Sequence, residues 1–307
     1  MALRLAFTDF WEGFVPEDEW FVQQLRRRLE FDIAQSPAEA DVVVSSVFGH
    51  DHERFACTRV LLSWENRPWP RSRFDWAFTS DYHNSSRHHR LPLWVVHLDL
   101  HPERIPGDPA SLLKSKSRFA ATVVSNPTGA VRNRLHDALD SYREVASGGR
   151  FRNNVGGPVA DKLEFLRTAK FSLACENSSR PGYTTEKIIH ALAADTIPIY
   201  WGDPLIAQEF NPERFINVHD FASEKDVLAK VIELDTDEDA AASLLAQPWF
   251  RDGQLPAAAN VETMIDHFVR AVAWTGTPVS RQARPIVAIR ALTDRMEARR
   301  RHRARQA

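Results

Sequence analysis

The run Glu176-Asn177-Ser178-Ser179-Arg180-Pro181-Gly182-Tyr183-Thr184-Thr185-Glu186-Lys187 crowds acids, an amide, hydroxyls, a phenol and a lysine just ahead of the helically spaced Ile188, Ala191 and Leu192. Thr184 or Thr185 suits a helix N-cap, with the three apolar residues as the buried stripe behind it. Glu186 and Lys187 then fall in the first turn, beside backbone N–H groups that have no partner within the helix. A lysine at a helix N-terminus is a natural seat for a pyrophosphate. Glu186 must point elsewhere, because phosphates repel a carboxylate; it can accept hydrogen bonds from sugar hydroxyls or stabilise positive charge at an anomeric carbon. Thr-Thr-Glu-Lys alone also reads as an ordinary capped helix. Asn177 and Tyr183 favour an anion or nucleotide site, and the residues by themselves go no further.

These residues need a scaffold, and the apolar pattern supplies one. Strands are expected at 3–7, 41–47, 59–62 and 93–96, with a helix at 19–29 that aligns Phe21, Leu25 and Leu29. A second alternation follows. Its strands fall at 119–124, 170–175, 196–200 and 215–218, and its helices at 130–142, 184–194, 224–233 and 238–245. Val- and Leu-rich strands separated by helices predict α/β domains with mostly parallel sheets. Such sheets bind ligands at the carboxyl ends of their strands. Ser125-Asn126-Pro127, Glu176-Asn177-Ser178-Ser179 and Trp201-Gly202-Asp203 each follow a strand, so one crevice should collect them. The Pro-rich stretch at 101–115 marks the boundary. The expected division is an α/β domain at 1–112, a second at 113–280 and a basic amphipathic tail at 281–307.

Composition narrows the class. The chain has 307 residues, 43% hydrophobic and 26% charged, as in a well-packed globular protein. Two cysteines, Cys57 and Cys175, give no disulfide framework and fit a reducing, cytoplasmic setting. Met1-Ala2-Leu3-Arg4-Leu5 reads as a first strand rather than a signal peptide. No stretch approaches the roughly 20 apolar residues of a membrane span. The net charge of −2 is uneven: nine arginines against Asp294 and Glu297 give the tail +7, leaving −9 elsewhere. Ile286, Ile289, Leu292 and Met296 precede Arg299, Arg300, Arg301, Arg303 and Arg305. This pattern suits either a packed helix whose basic end grips anionic lipid or a solvated terminus. The acidic remainder argues against nucleic acid.

The blocks Phe171-Ser172-Leu173-Ala174-Cys175-Glu176-Asn177-Ser178, Tyr183-Thr184-Thr185-Glu186-Lys187 and Ile197-Pro198-Ile199-Tyr200-Trp201-Gly202 resemble the α1,3/α1,4-fucosyltransferase family, its bacterial members in particular. Val124-Ser125-Asn126-Pro127, Val131-Arg132-Asn133, Phe210-Asn211-Pro212 and Phe215-Ile216-Asn217-Val218-His219-Asp220-Phe221 extend the likeness over most of 119–221. The resemblance implies a GT-B-like fold, two Rossmann-like α/β domains facing across a cleft with a C-terminal helical tail, and GDP-fucose as donor. By the same likeness Arg132 and Lys187 neutralise the donor diphosphate, Asn177 and Tyr183 line its pocket, and Glu186 meets sugar or ribose. Ser125 and Asn126 are donor-side matches. Cys175 stands where an aromatic is more usual, and Asp195 where Gly is common.

In the first domain, Arg59-Val60-Leu61-Leu62-Ser63-Trp64-Glu65-Asn66 carries a weaker resemblance. It assigns Glu65, just past a strand, as the base that takes the acceptor hydroxyl proton in an inverting transfer. Asp9, Glu12 and Asp81 are competing carboxylates, and by residue type alone Glu65 is an exposed acid at a strand end. Trp11, Glu12 and Trp64 are the candidate acceptor contacts. No histidine spacing indicates a metal site, so no cofactor and no obligatory metal are expected. The resulting expectation is fucosyl transfer from GDP-fucose to a GlcNAc hydroxyl, O3 favoured, of an N-acetyllactosamine or lipopolysaccharide-type glycan. The alternatives are a transferase for another nucleotide sugar and a non-catalytic glycan-binding relative. The expected location is cytoplasmic, peripheral on the membrane at most.

Overall fold

A computed structural model describes residues 2–282 and 284–303. The first unit is built on six strands: β1 (Leu3–Thr8), β2 (Phe31–Ile33), β3 (Val42–Ser45), β4 (Thr58–Ser63), β5 (Trp76–Thr79) and β6 (His88–Arg90). They are ordered β2-β1-β3-β4-β5-β6, and every pairing is parallel. All residues of β3, β4 and β5 are buried. A parallel sheet covered on both faces therefore shows runs of apolar residues without alternation. Helix α1 (Trp20–Arg26) lays Phe21, Val22 and Leu25 on this sheet. β2, β5 and β6 were not apparent in the sequence; all three are short, and β6 is the polar His88-His89-Arg90, held by its register against Ala77, Phe78 and Thr79.

The second unit begins at Leu93. A strand expected at 93–96 is instead a 3-10 segment, Leu93–Leu100, following Pro92. The Trp94 ring turns inward against Phe210 and Phe250, with centroids 5.4 and 5.2 Å apart. Burying that indole outweighs an edge-strand pairing. Then come α2 (Pro109–Lys114), β7 (Arg118–Thr122), α3 (Ala130–Asp140), β8 (Val145–Ser147), α4 (Lys162–Arg167), β9 (Ala169–Leu173), α5 (Glu186–Ala193), β10 (Ile197–Tyr200), β11 (Ile216–Asn217), α6 (Glu224–Thr236) and α7 (Glu238–Leu245). The sheet order is β11-β10-β9-β7-β8, again parallel throughout. Phe119, Phe171, Leu173, Ile197 and Ile199 form its core with Leu135, Val231 and Leu245.

From Ala258 the chain rejoins the first unit, so the compact units are residues up to Pro92 with those from Ala258, and Leu93–Ala257. Expected boundaries at 112/113 and 280/281 differ from this division for a packing reason. Helix α8 (Val261–Val272) places Phe268 5.8 Å from Phe21 and 6.2 Å from Phe78, ring to ring. Its amphipathic pattern cannot reveal which sheet it covers. Asp75, fully buried, accepts hydrogen bonds from the Arg59 and Val279 backbone N–H groups at 3.0 and 2.8 Å, fastening the returning segment to β4.

Helix α9 (Arg284–Arg303) confirms the expected helical tail but docks by its acids. Asp294 accepts from the Arg71 and Ser72 backbone N–H groups and from the Ser72 hydroxyl, at 3.2, 2.9 and 2.6 Å, and Glu297 pairs with Arg71 at 2.6 Å. The stripe Ile286, Ile289, Leu292 and Met296 is exposed rather than packed. Side chains of Arg300, Arg301 and Arg303, and all of Arg305, lie outside the described residues.

The first unit also buries a histidine cluster. His267 of α8 packs on Trp76 and Phe78, at 5.0 and 5.1 Å between ring centroids, and 5.5 Å from His89. His88 shares a 2.8 Å hydrogen bond with the Thr79 hydroxyl. Burial, the largest cause, lowers His88 to about 3 and His89 and His267 to about 4. Their folded values lie below the unfolded value of about 6.5, so the unfolded chain binds more protons between those limits. Stability is therefore complete above about pH 6.5 and lost progressively toward pH 3–4. Thermal melting across pH 8 to 4 should show a plateau followed by a fall beginning near pH 6.5; a flat profile down to pH 4 would contradict it.

Candidate active site

The carboxyl ends of β9 and β10 carry the site. Beyond β9 the ladder continues: Ala174 N–H donates to Ile199 O at 2.9 Å and Glu176 N–H to Trp201 O at 2.7 Å. This seats the Glu176 carboxylate with no solvent exposure. It accepts from the Thr185 backbone N–H and hydroxyl, both at 2.8 Å, and from Lys187 Nζ at 2.8 Å. Thr185 occupies the N-cap position of α5, as expected, but its hydroxyl goes to Glu176 and makes no side-chain cap. Charge-assisted bonds to a carboxylate are stronger than a neutral cap.

Gly202 makes room for this acid. A Cβ there would lie 2.4 Å from Glu176 Cγ and 2.8 Å from the Tyr200 hydroxyl. Asp203, also fully buried, accepts from Gly182 N–H and Leu205 N–H, both at 2.8 Å, and from the Thr184 hydroxyl at 3.2 Å. Two buried carboxylates thus fix the loop before α5 from both sides. Asp195, at a position with φ of +51°, ends the α5 turn in a left-handed conformation that favours Gly but admits Asp. Its carboxylate pairs with Arg104.

Lys187 therefore lies where the sequence placed it, held above its usual range because Glu176 and Glu186 outweigh the opposing effect of burial. Glu186 sits 3.7 Å from Lys187 and 3.5 Å from Lys162. Burial pushes its carboxyl up, but the two lysines pull it well below the usual carboxylate range. Glu176 and Lys162 were missed by sequence reasoning. Glu176 stood inside the quoted motif, and its apolar surroundings were the available signal; Lys162 gave none, being distant in sequence.

Arg132 on α3 is buried, and burial lowers it against the nearby Cys175 and Glu176. Its guanidinium donates to Asn126 O at 2.7 Å and to Thr128 O. Asn126 closes the same turn, accepting from the Thr128 N–H and hydroxyl at 2.9 and 2.8 Å. Ser125 is exposed, with its hydroxyl 3.4 Å from Arg150 N–H. A crevice beside them is lined by Thr122, Val124, Arg132, His136, Ser147 and Phe151. Asn177 is exposed and Tyr183 buried, both on the loop leading to α5. Cys175, where the resemblance implied an aromatic, is wholly buried, and desolvation lifts its thiol to about 12. A larger groove lined by Arg118, Arg143 and Glu144 lies at the amino ends of β7 and β8, away from this chemistry.

In the first unit Glu65 is exposed just beyond β4, with its N–H on the Ser63 hydroxyl at 3.2 Å. Asp9 is committed elsewhere. It has φ of +59° and accepts from Ser45 Oγ, the N–H groups of Asp51 and His52, and His52 Nδ1, at 2.9, 2.8, 3.0 and 2.6 Å. Asp81 is buried, and Glu12 is exposed. Trp11 is 41% exposed and meets Phe14 and Phe48 edge-on at 5.3 and 6.5 Å, an aromatic patch larger than the sequence suggested. Trp64 is half-buried, its Nε1 enclosed without a partner. Ligand atoms of His50, His52 and Glu53 lie within 4.8 Å of one another.

Two all-parallel α/β units, the second carrying an anion-suited helix start at its strand ends, define a GT-B-type glycosyltransferase. A solved α1,3-fucosyltransferase superposes with a TM-score of 0.80 at 27% identity, covering 92% of each chain. An α1,3-fucosyltransferase solved with GDP-fucose gives 0.78 at 28% identity, covering 90% of this chain and 91% of that one. The profile described as glycosyltransferase family 10 (fucosyltransferase) C-term matches residues 113–263, and that of the α-(1,3)-fucosyltransferase FucT N-terminal domain matches 5–97. The chain belongs to the glycosyltransferase family 10 fucosyltransferases. Among curated relatives, the Helicobacter pylori α-(1,3)-fucosyltransferase FucT is 45% identical over 130 residues. That match covers 42% of this chain and 27% of the relative, well under two thirds of its length.

Proposed function

We propose that this protein transfers L-fucose from GDP-fucose, with inversion, to a GlcNAc hydroxyl of a glycan, O3 favoured. The observation that carries the reading is the Glu176–Lys187–Glu186–Lys162 network at the start of α5, a polar constellation suited to a sugar diphosphate. The similarity to a fucosyltransferase solved with GDP-fucose supports the choice of donor. Glu65 takes the proton from the acceptor hydroxyl as its oxygen attacks the anomeric carbon. The bond to the diphosphate breaks on the opposite face, and Arg132, Lys187 and the N–H groups of α5 meet the charge of the departing GDP. Asn177, Tyr183, Ser125 and Asn126 line the donor side, and Glu186 meets the sugar. Trp11, Glu12 and Trp64 contact the acceptor; a sugar face stacks on the exposed Trp11 ring. The spent hydrogen-bonding capacity of Asp9 favours Glu65 over that competitor as base.

Calorimetry should detect GDP-fucose binding by both the wild type and Glu65→Gln, while turnover of the variant falls by about two to four orders of magnitude. Absence of GDP binding would remove the donor assignment, and near-normal turnover of the variant would remove the base.

Leaving-group charge is met by side chains and backbone dipoles in this scheme, so no metal is obligatory. Rates in EDTA should match those with added magnesium or manganese; abolition by EDTA with rescue by a divalent ion would refute this.

No helix among the described residues is long and apolar enough to cross a membrane. A cytoplasmic enzyme peripheral to an anionic membrane fits the two free cysteines and α9, whose exposed Ile286, Ile289, Leu292 and Met296 accompany the tail arginines. The full chain should co-sediment with vesicles containing phosphatidylglycerol more than with neutral ones, and lose this after truncation at Pro285. Equal sedimentation of both forms would count against the tail.

A further inference from the structure

Helix α4 brings a second lysine to Glu186. Asp161 caps this helix by accepting the Glu164 N–H at 2.9 Å, so Lys162 stands at its first position. From there its ammonium reaches Glu186 Oε1 at 3.5 Å, the same oxygen that Lys187 approaches at 3.7 Å. Lys187 is shared: its closer partner is Glu176 at 2.8 Å. Lys162 is only 28% exposed at the side chain, and Glu186 23%. A long flexible side chain gains nothing by leaving water for this position unless the acid repays the desolvation.

The other titratable groups around Glu186 do not substitute for it. His190 lies one turn along α5, and His97, from the 93–100 segment, packs against it with ring centroids 4.6 Å apart. Burial lowers both imidazoles, so they are neutral near pH 7. Glu176 is an acid and adds no positive charge.

A nucleoside diphosphate bound at the start of α5 competes for the ammonium of Lys187, which stands in the first turn of that helix. Glu186 then faces added negative charge with one fewer positive neighbour. We propose that Lys162 is a positioning residue for sugar transfer, supplying the cation that holds the Glu186 carboxylate in place once the donor diphosphate has drawn Lys187 to itself. The inference rests on the donor reading given above and adds a division of labour between two lysines. Lys187 serves the phosphates, and Lys162 serves the acid that meets the sugar.

The division has a signature that simple structural damage lacks. Removing Lys162 raises the proton affinity of Glu186 most in the donor complex, where Lys187 is occupied. The acid limb of the kcat profile reports the complex, and that of kcat/KM the free enzyme. In Lys162→Met, initial rates with GDP-fucose and N-acetyllactosamine should show kcat reduced about tenfold to hundredfold. Its acid limb should move to higher pH by more than that of kcat/KM. GDP affinity by calorimetry should stay within about threefold, and Lys162→Arg should restore both rate and profile, because the cation is kept. An unchanged kcat and acid limb in Lys162→Met would overturn the inference alone. So would equal losses of rate and melting temperature in both variants, which mark a structural role. A wild type that binds no GDP would overturn the donor reading, and this inference with it.

Discussion

A carboxylate with no exposure to water, at the end of a parallel strand, is costly unless every lone pair is engaged. Glu176 meets that demand by drawing in the Thr185 N–H, the Thr185 hydroxyl and the Lys187 ammonium. The same bonds set where α5 begins, which way its first turn faces and where its lysine lies. Positions of Glu186 and of the loop at 177–184 follow from it. Gly202 is required because Glu176 occupies the space any side chain there would need. The geometry of the helix start is thus inseparable from the packing of β9 against β10.

The start of α5 balances charge closely: Glu176 and Glu186 alternate with Lys187 and Lys162, two acids against two lysines. Such a network keeps lysines ordered in a partly buried place, and in the proposed function an incoming diphosphate exchanges partners with them. Arg132 differs: its guanidinium keeps its positive charge while donating to the carbonyls of Asn126 and Thr128, neutral acceptors that a phosphate would outcompete in the proposed function.

In the first unit a comparable hub serves architecture. Asp9, with its left-handed backbone, gathers Ser45, Asp51 and His52 and shapes the loop after β3. Gly49 is required beside it, since a Cβ would come within 2.4 Å of Asp9 Oδ1. An acid that looks catalytic by its place after β1 is therefore occupied in holding the strand ends together. Glu65, with its side chain exposed, is not constrained in this way.

By itself the sequence determined the α/β class, the strands that end in polar clusters, and the polar run around Asn177, Tyr183, Glu186 and Lys187 at the start of a helix. Apolar runs and helical spacing are local, and a motif contained in a few adjacent blocks survives reading in one dimension. Tertiary structure decided what depends on partners remote in the chain. Trp94 left the expected strand for a pocket made by Phe210 and Phe250, and β6 formed from polar residues because β5 offered a register. Helix α8 returned to the first sheet because Phe268 fits between Phe21 and Phe78. The Ile286–Met296 stripe stayed outside because Asp294 found backbone donors at Arg71 and Ser72. Lys162 joined Glu186 from 24 residues away along the chain. Periodicity fixes which face of an element is apolar, whereas only packing fixes which surface that face meets and which buried charge a distant side chain must neutralise.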